Sequence, residues 1–293
     1  MASNRRIEVN PIAGALGAEI SGVDLRNLDD ETFAEIHDAW LEHLVIFFRD
    51  QKLTPEEQIA FAKRFGGIHH HPFIKGMPDY PDILEIIKEE TDTRAFGETW
   101  HTDQMFNPKP AKATILYAKE TPKFGGDTMF ANMYVAYDSL SDTMKETIKN
   151  LKTWNTGNRK KLHDNDAKRG EKSGDYKGNA KMAEKVRDPG DLVTEAAHPL
   201  VRTHPETGRK ALYLPRPLML RFDGMTTEES DGLADWLYDH SHKPEFTCRF
   251  RWENGSVAFW DNRCTQHCAI WDYWPNVRSG YRMFLKGTDK PTA

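Results

Sequence analysis

From Ile83 to the C-terminus the chain is written in short apolar runs cut by Gly, Pro and Asp, with helical periodicity only near Tyr137 to Leu151 and near Thr227 to His240. Short strands in such numbers must each bury a face against a second sheet, which favours a β-sandwich or jelly roll. No internal repeat of roughly 20 to 50 residues recurs, so a solenoid is excluded. The 293 residues read as a single domain.

The N-terminal part is mixed. Gly14, Gly17 and Gly22 punctuate Ile7 to Leu25 at turn-like spacing and predict short strands joined by tight turns. A helix follows, capped by Asp29 or Asp30, with Phe33, Ile36, Trp40 and Leu44 on one face. Leu44 to Phe48 reads as a buried strand. Thr54-Pro55-Glu56-Glu57 then supplies a cap, a proline at the first helical position and a Glu three places after the cap, so a second helix should run to about Phe65 and stop at Gly66-Gly67.

Composition removes several classes of function. The longest apolar run, Leu44 to Phe48, is far shorter than the ~18 residues of a membrane-spanning helix. A net charge of -5 argues against nucleic acid as the main partner, because phosphate binding draws on lysines and arginines. The three cysteines, Cys248, Cys264 and Cys268, make no disulfide framework and read as small buried hydrophobes. No apolar stretch follows the basic residues at the N-terminus, so a cytoplasmic address is expected.

One segment, 159–191, alternates charges with Gly and Asn and holds almost nothing apolar. It reads as a mobile charged insert, either a solvated loop or a lid over a site. As a nucleic-acid arm it fails, because its acids nearly offset its bases and Tyr176 is its lone aromatic.

Three stretches carry candidate chemistry. In Trp100-His101-Thr102-Asp103, residues two apart on an extended segment share a side, so His101 and Asp103 make half a metal site. The pattern alone is weak, since His204-Pro205-Glu206 has it too. A third ligand can come from the stretch Val257 to His267, an apolar strand running into polar residues. Two histidines and a carboxylate on one face of a metal leave positions open, as in non-haem Fe(II) oxygenases, whereas structural zinc takes a closed tetrahedral set. Finally, Arg278 and Arg282 lie four apart and face one cavity if the strand is extended. Their forks match carboxylates or sulfonates; exposed surface charge is the other reading.

Taken together, the chain resembles the taurine and 2,4-dichlorophenoxyacetate dioxygenase (TauD/TfdA) family of Fe(II)- and 2-oxoglutarate-dependent oxygenases. The likeness runs from Leu16-Gly17-Ala18-Glu19 through Phe48-Arg49-Asp50-Gln51, Phe61-Ala62-Lys63-Arg64-Phe65-Gly66, Trp100-His101-Thr102-Asp103, Gly125-Gly126-Asp127-Thr128 and His198-Pro199-Leu200-Val201-Arg202 to Trp260-Asp261-Asn262-Arg263 and His267. It implies a mainly β fold with flanking helices, a double-stranded β-helix of the cupin-like jelly-roll kind. It implies His101, Asp103 and His267 as iron ligands, Arg278 and Thr128 as the grip on the distal carboxylate of 2-oxoglutarate, and Trp260 as an aromatic beside that cosubstrate. His71, Phe106 and Arg282 match substrate-facing positions. His204 falls in a family stretch without metal ligation.

The implied reaction couples decarboxylation of 2-oxoglutarate by O2 to hydroxylation of a C–H bond in a small anionic substrate. A hydroxylated carbon bearing a sulfonate or aryloxy group would then collapse and release it. Family members often form dimers or tetramers, so a homo-oligomer is expected.

The chain also departs from the taurine-type pattern. Gly97 stands where an amide helps hold the sulfonate, Pro215 replaces an asparagine, and Gln104 adds a polar group. Taurine itself becomes doubtful, and aryloxyalkanoates, other sulfonates and alkyl sulfates stay open. His69 and His70 read as solvent-exposed neighbours of His71. The alternative is a non-catalytic metal-binding jelly-roll protein, for instance a zinc protein using Cys264, His267 and Cys268, but those residues are crowded and lack a second Cys/His pair.

Overall fold

A computed structural model describes residues 6–93, 97–169 and 178–293. The N-terminal strands β1 (Glu8–Pro11) and β2 (Ala18–Ser21) form a hairpin, and Gly17 between them sits at φ +93°, where a side chain would be strained. Helix α1 (Asp30–His43) begins where Asp29 accepts a hydrogen bond from the Thr32 amide at 2.8 Å, and it buries Ile36 and Trp40 as its periodicity predicts. Strand β3 (Val45–Phe48) is wholly buried. Helix α2 (Pro55–Arg64) carries the expected capping box between Thr54 and Glu57.

After β4 (Ile68–His69) and β5 (Leu84–Lys88) come β6 (Ala113–Glu120) and β7 (Thr128–Asn132). The helical pattern near Tyr137 to Leu151 is two short helices, α3 (Met133–Asp138) and α4 (Asp142–Ile148). The break falls at Ser141, whose hydroxyl caps α4 by accepting from the Met144 amide at 3.2 Å. Strand β8 (Lys152–Thr156) precedes α5 (Arg159–Arg169) and α6 (Ala180–Glu184), and then β9 (Glu195–Pro199), the hairpin β10 (Val201–Thr203) and β11 (Lys210–Leu212), and β12 (Met219–Phe222). Helix α7 (Thr227–Ser241) matches its predicted span, with a second capping box between Thr226 and Glu229. Strands β13 (Thr247–Phe250), β14 (Val257–Asp261), β15 (Thr265–Ala269) and β16 (Arg278–Leu285) complete the chain.

These strands form a large sheet in the order β1-β2-β3-β14-β6-β16-β4, with β5 also on β16, and a smaller sheet β13-β7-β15. A further sheet, β12-β8-β9, extends the β architecture. The result is the expected mainly β, jelly-roll fold with flanking helices. Period-two alternation divides the large sheet. Ile115, Val257, Phe259, Met283 and Leu285 join Ile36, Trp40 and Phe61 in one core under α1 and α2, while Ala118, Ala258 and Trp260 join Phe130 in another core between the sheets. The inward-facing positions of β6, β14 and β16 are therefore the ones free to build a site.

Within 159–191, residues 179–187 are packed against the rest of the protein, while Asp188, Gly190 and Asp191 are exposed. Met182 is fully buried against Ile74, Leu84, Ala111 and Phe284. Asn179 donates to the Ile87 carbonyl at 3.1 Å, and Ile74 pairs with Val186 as an antiparallel bridge. A single methionine and a set of directed hydrogen bonds dock this stretch, which a composition dominated by charges conceals. Positions 170–177 lie outside the described residues. No described helix is long and apolar enough to cross a membrane.

Candidate active site

The sequence places His101 and His267 far apart, and a two-residue β-bridge joins them. Each amide donates to the other's carbonyl, at 3.0 and 2.9 Å, so the two side chains leave one face with ring centroids 4.2 Å apart. Asp103 does not continue an extended strand as expected; it opens a turn, which swings its carboxylate back so that Oδ1 lies 3.7 Å from His101 Nε2 and 3.9 Å from His267 Nε2. One ligand atom from each of the three lies within 4.8 Å of the others.

His101 and Asp103 are each oriented by hydrogen bonds, whereas His267 Nδ1 is buried without a partner among the described residues. His101 Nδ1 bonds the Thr99 carbonyl at 2.7 Å, which makes that nitrogen the N–H and leaves Nε2 as a lone pair toward the cluster. Asp103 Oδ2 accepts from Thr114 Oγ1 at 2.7 Å and from Arg282 Nη2 at 2.5 Å, which leaves Oδ1 for the centre. Burial pushes the imidazole pKa of His267 and of His101 down, so both are held neutral. Burial alone would raise the Asp103 carboxyl, but Arg282, then His267 and His101, outweigh it and hold it well below the usual carboxylate range. Two neutral imidazoles and one ionised carboxylate turned toward one another are a donor set that fits a divalent metal with open positions, once the Arg282 contact to His267 Nε2 gives way.

Beside this cluster lies a cavity lined by Thr128, Trp252, Trp260, His267, Tyr273, Arg278 and Arg282. Arg278 and Arg282 share the inward face of β16, as their spacing predicts. Among the described residues Arg278 has no carboxylate ion-pair partner; its guanidinium lies over Trp252 at 5.4 Å, and burial lowers its pKa from the ordinary value. Half-buried, and bonded by Tyr273 but by no carboxylate, this cation is a receptor for an anion. Thr128 is buried in the same wall, and its hydroxyl accepts from Trp252 Nε1 at 2.9 Å. Because the indole only donates, the Thr128 hydroxyl proton is left to give to an acceptor in the cavity.

Arg282 sits closer to the metal-type cluster than a purely substrate-facing role requires, donating to both Asp103 Oδ2 and, at 3.1 Å, His267 Nε2. It also lies 4.9 Å from the Phe284 ring, which meets His71 at 5.8 Å; His71 in turn meets Phe106 at 6.4 Å. Arg282 and His71 are thus linked through Phe284, and Phe106 joins them through His71. Burial pushes the His71 pKa down to about 3. His71 Nδ1 accepts from the Phe73 amide at 3.1 Å, so the neutral ring keeps an Nε2–H to donate.

Several contributors escaped the sequence. His69 is not a solvent-exposed neighbour: its Nε2 meets Gln104 Oε1 at 2.6 Å, and Asn107 Nδ2 donates to the same oxygen at 3.1 Å. His70 is exposed and pairs with Asp82. Lys88 and Asn179 line the cavity with Arg278, and Arg187 lines a second recess with His71 and Phe284. Nothing in local spacing signals these, because each acts from a distant element.

The decoy histidine is explained too. His204, Asp261 and Cys264 converge in a second buried cluster, but Asp261 is occupied by His204 at 3.0 Å and by the Arg263 guanidinium at 2.6 Å. That cluster is a structural ion pair. Cys248 and Cys268 are free thiols whose pKa burial raises, to about 12 and about 11. Neither belongs to the metal-type triad, so the zinc reading loses its sulfur ligands.

A jelly roll carrying two inward histidines and an inward carboxylate, with a half-buried arginine in the cavity beside them, is the frame of a metal-dependent oxygenase of the 2-oxoglutarate class. Residues 8–284 match the family described as "Taurine catabolism dioxygenase TauD, TfdA family", and the chain belongs to that family of α-ketoglutarate-dependent dioxygenases, enzymes that use Fe(II), 2-oxoglutarate and O2. It is 35% identical over 291 residues to an alkylsulfatase of Acinetobacter baylyi, covering 97% of this chain and 86% of that one. It is 33% identical over 281 residues to an (S)-phenoxypropionate/α-ketoglutarate dioxygenase of Sphingobium herbicidovorans, covering 90% of each. Among solved structures, a putative α-ketoglutarate-dependent taurine dioxygenase from Burkholderia xenovorans superposes with TM-score 0.79 at 34% identity, over 98% of this chain and 91% of that one. The structure of AAD-2 with Mn(II) and N-oxalylglycine superposes with TM-score 0.75 at 27% identity, over 98% and 100%.

Proposed function

We propose that this enzyme hydroxylates a C–H bond of a small organic anion of the alkyl sulfate, sulfonate or aryloxyalkanoate type, with His101, Asp103 and His267 holding its Fe(II). The observation that carries the reading is the pairing of the three inward donor atoms with Arg278, which has no carboxylate ion pair among the described residues, in the adjoining cavity. When bound, iron with 2-oxoglutarate and O2 supplies the coupled oxidation: 2-oxoglutarate goes to succinate and CO2, and substrate C–H to C–OH.

The protein's own work is binding, orientation and exclusion of water. Arg278 and the Thr128 hydroxyl proton take the distal carboxylate of 2-oxoglutarate, with Trp260 as the wall beside it. Arg282 and the neutral His71 Nε2–H take the anionic end of the substrate, and Phe106 with Phe284 supplies apolar surface. Gly97 favours bulkier anions than taurine. A Cβ there would lie 3.4 Å from His101 Cε1, so the glycine leaves open the space next to the ligand imidazole. The named relatives, an alkylsulfatase and a phenoxypropionate dioxygenase, support the same substrate range. Residues 1–293 acting as one catalytic domain, in a cytoplasmic homodimer or homotetramer, complete the proposal.

The test is an anaerobic titration of the apoprotein with Fe(II) and 2-oxoglutarate, watching for the visible charge-transfer band of the chelate, with His101→Ala as control. A band absent from the control is the expected result. Wild-type protein that binds iron without giving a band would overturn the reading. Substrate-dependent succinate formation with alkyl sulfates and aryloxy acids then separates the substrate classes.

A further inference from the structure

Asp103 presents one oxygen to the metal-type cluster because its other oxygen is held from behind, and the holding group is itself the end of a chain. Thr114 lies on the inward face of β6, opposite Trp260 on β14 and Phe284 on β16. Its hydroxyl donates to Asp103 Oδ2 at 2.7 Å. Thr114 Oγ1 in turn accepts from Asn262 Nδ2 at 2.9 Å, and Asn262 Oδ1 accepts from Trp260 Nε1 at 3.0 Å. Trp260, Asn262 and Thr114 are each 1% exposed or less, and Asp103 is 5% exposed, so water does not compete for these bonds.

The direction of the chain is forced. An indole N–H can only donate, so Asn262 must turn its carbonyl to Trp260 and its amide to Thr114. Thr114, already accepting, must spend its single proton on Asp103. A residue at the cavity wall thereby fixes the rotor of a hydroxyl two steps away and, through it, the rotamer of a carboxylate. Arg282 adds a second donor to Asp103 Oδ2, but on a long side chain that also serves the cavity. Thr114 is the short, buried and rigid one.

We infer that Thr114 and Asn262 are positioning residues for the metal carboxylate, and that Trp260 is the anchor of their relay as well as a wall of the cosubstrate cavity. The inference rests on the assignment of Asp103 as a metal ligand. Carboxylates bound to metals depend on such outer partners, whose loss typically costs about 10- to 100-fold in metal affinity.

The experiment is a titration of apoprotein with Mn(II), free metal being followed by electron paramagnetic resonance, and with Co(II), followed by its ligand-field bands. Both are done without cosubstrate, so the readout is independent of turnover. Thr114→Val keeps the shape and removes the donor. It is expected to bind Mn(II) about 10- to 100-fold more weakly and to shift the Co(II) bands, while Thr114→Ser restores binding to within about threefold. Asn262→Asp still accepts from Trp260 but cannot donate to Thr114, whose proton then turns toward the new carboxylate, so metal affinity falls there as well. Wild-type affinity in Thr114→Val, or equal loss in Thr114→Ser, overturns the inference; failure of the wild type itself to bind Mn(II) overturns the ligand assignment instead. Independently of any variant, the Trp260 indole proton of the native apoprotein is expected to be strongly protected from solvent exchange, and rapid exchange would break the relay at its anchor.

Discussion

His101 and His267 exchange both backbone hydrogen bonds, so the imidazoles that face one another are fixed by main chain before any metal arrives. A site assembled this way is preorganised: binding does not have to order the two ligands first. The neighbouring cation Arg278 is held by a Tyr273 side-chain hydrogen bond but by no carboxylate ion pair among the described residues, so its charge is left to be matched from solution.

That asymmetry yields the first prediction. Arg278→Ala should raise the 2-oxoglutarate concentration for half-saturation by roughly 10- to 100-fold, the worth of a charge-assisted bond of about 1.5 to 3 kcal/mol. Fe(II) affinity without cosubstrate should stay within about twofold. Calorimetric titration of each variant measures both, and unchanged 2-oxoglutarate affinity would remove Arg278 from its assigned role.

Much of this arrangement was legible because it is local. The period-two placement of Arg278 and Arg282 and the caps at Asp29 and Thr54 follow from rules spanning a few residues, and the His101-x-Asp103 pair was found by its spacing although a turn, not an extended strand, brings Asp103 back to the histidines. What stayed hidden needs two distant elements at once. Asn262 means nothing until β14 is laid beside β6, and His69 looked exposed until Gln104 met it across the turn after Asp103. The packing of 179–187 within the charged segment was hidden for a further reason: three side chains, Asn179, Met182 and Arg187, hold it, and a composition average weighs them lightly against many charges.

Acid should weaken the fold before any carboxylate titrates. Burial lowers the pKa of His198 and of His242 from 6.5 to about 4. Above about 6.5 both native and unfolded forms are neutral and the full contribution is present. As pH falls toward 4 the unfolded chain takes up protons that the native state refuses, so stability drops at up to about 3 kcal/mol per pH unit for the two groups together. Denaturant midpoints of the metal-free protein should therefore be lower at pH 5 than at pH 7, with the slope easing below pH 4. A flat profile between 5 and 7 would show that these rings are accessible.

Gly97 offers a sharper steric test. It sits at φ +83°, and a Cβ built on it meets His101 Cε1 at 3.4 Å. Gly97→Ala strains the backbone and presses a methyl toward a ligand ring, so Fe(II) affinity should fall about 10-fold with little change in the global unfolding midpoint, since the position lies at the edge of the site. Equal loss of stability and metal affinity would mean that the glycine serves the fold instead.

The last prediction concerns the strap after α6. Arg187 Nη2 donates to the His71 carbonyl at 2.7 Å and its Nε to the Pro72 carbonyl at 3.0 Å, while its own amide donates to the Phe73 carbonyl at 2.9 Å. The guanidinium fork thus holds the backbone on which His71, proposed to face the substrate, is mounted. Removing it leaves the metal cluster and the Arg278 cavity intact, because neither contains Arg187. Arg187→Ala should therefore raise KM for the anionic substrate by about 10-fold, through an unmoored His71, with 2-oxoglutarate affinity unchanged. Arg187→Lys should not rescue it, since an ammonium lacks the planar fork that reaches two adjacent carbonyls. Steady-state kinetics against both substrates decide the matter: parallel losses for substrate and cosubstrate would show that the strap supports the whole site, and a substrate-only loss would place its effect at His71.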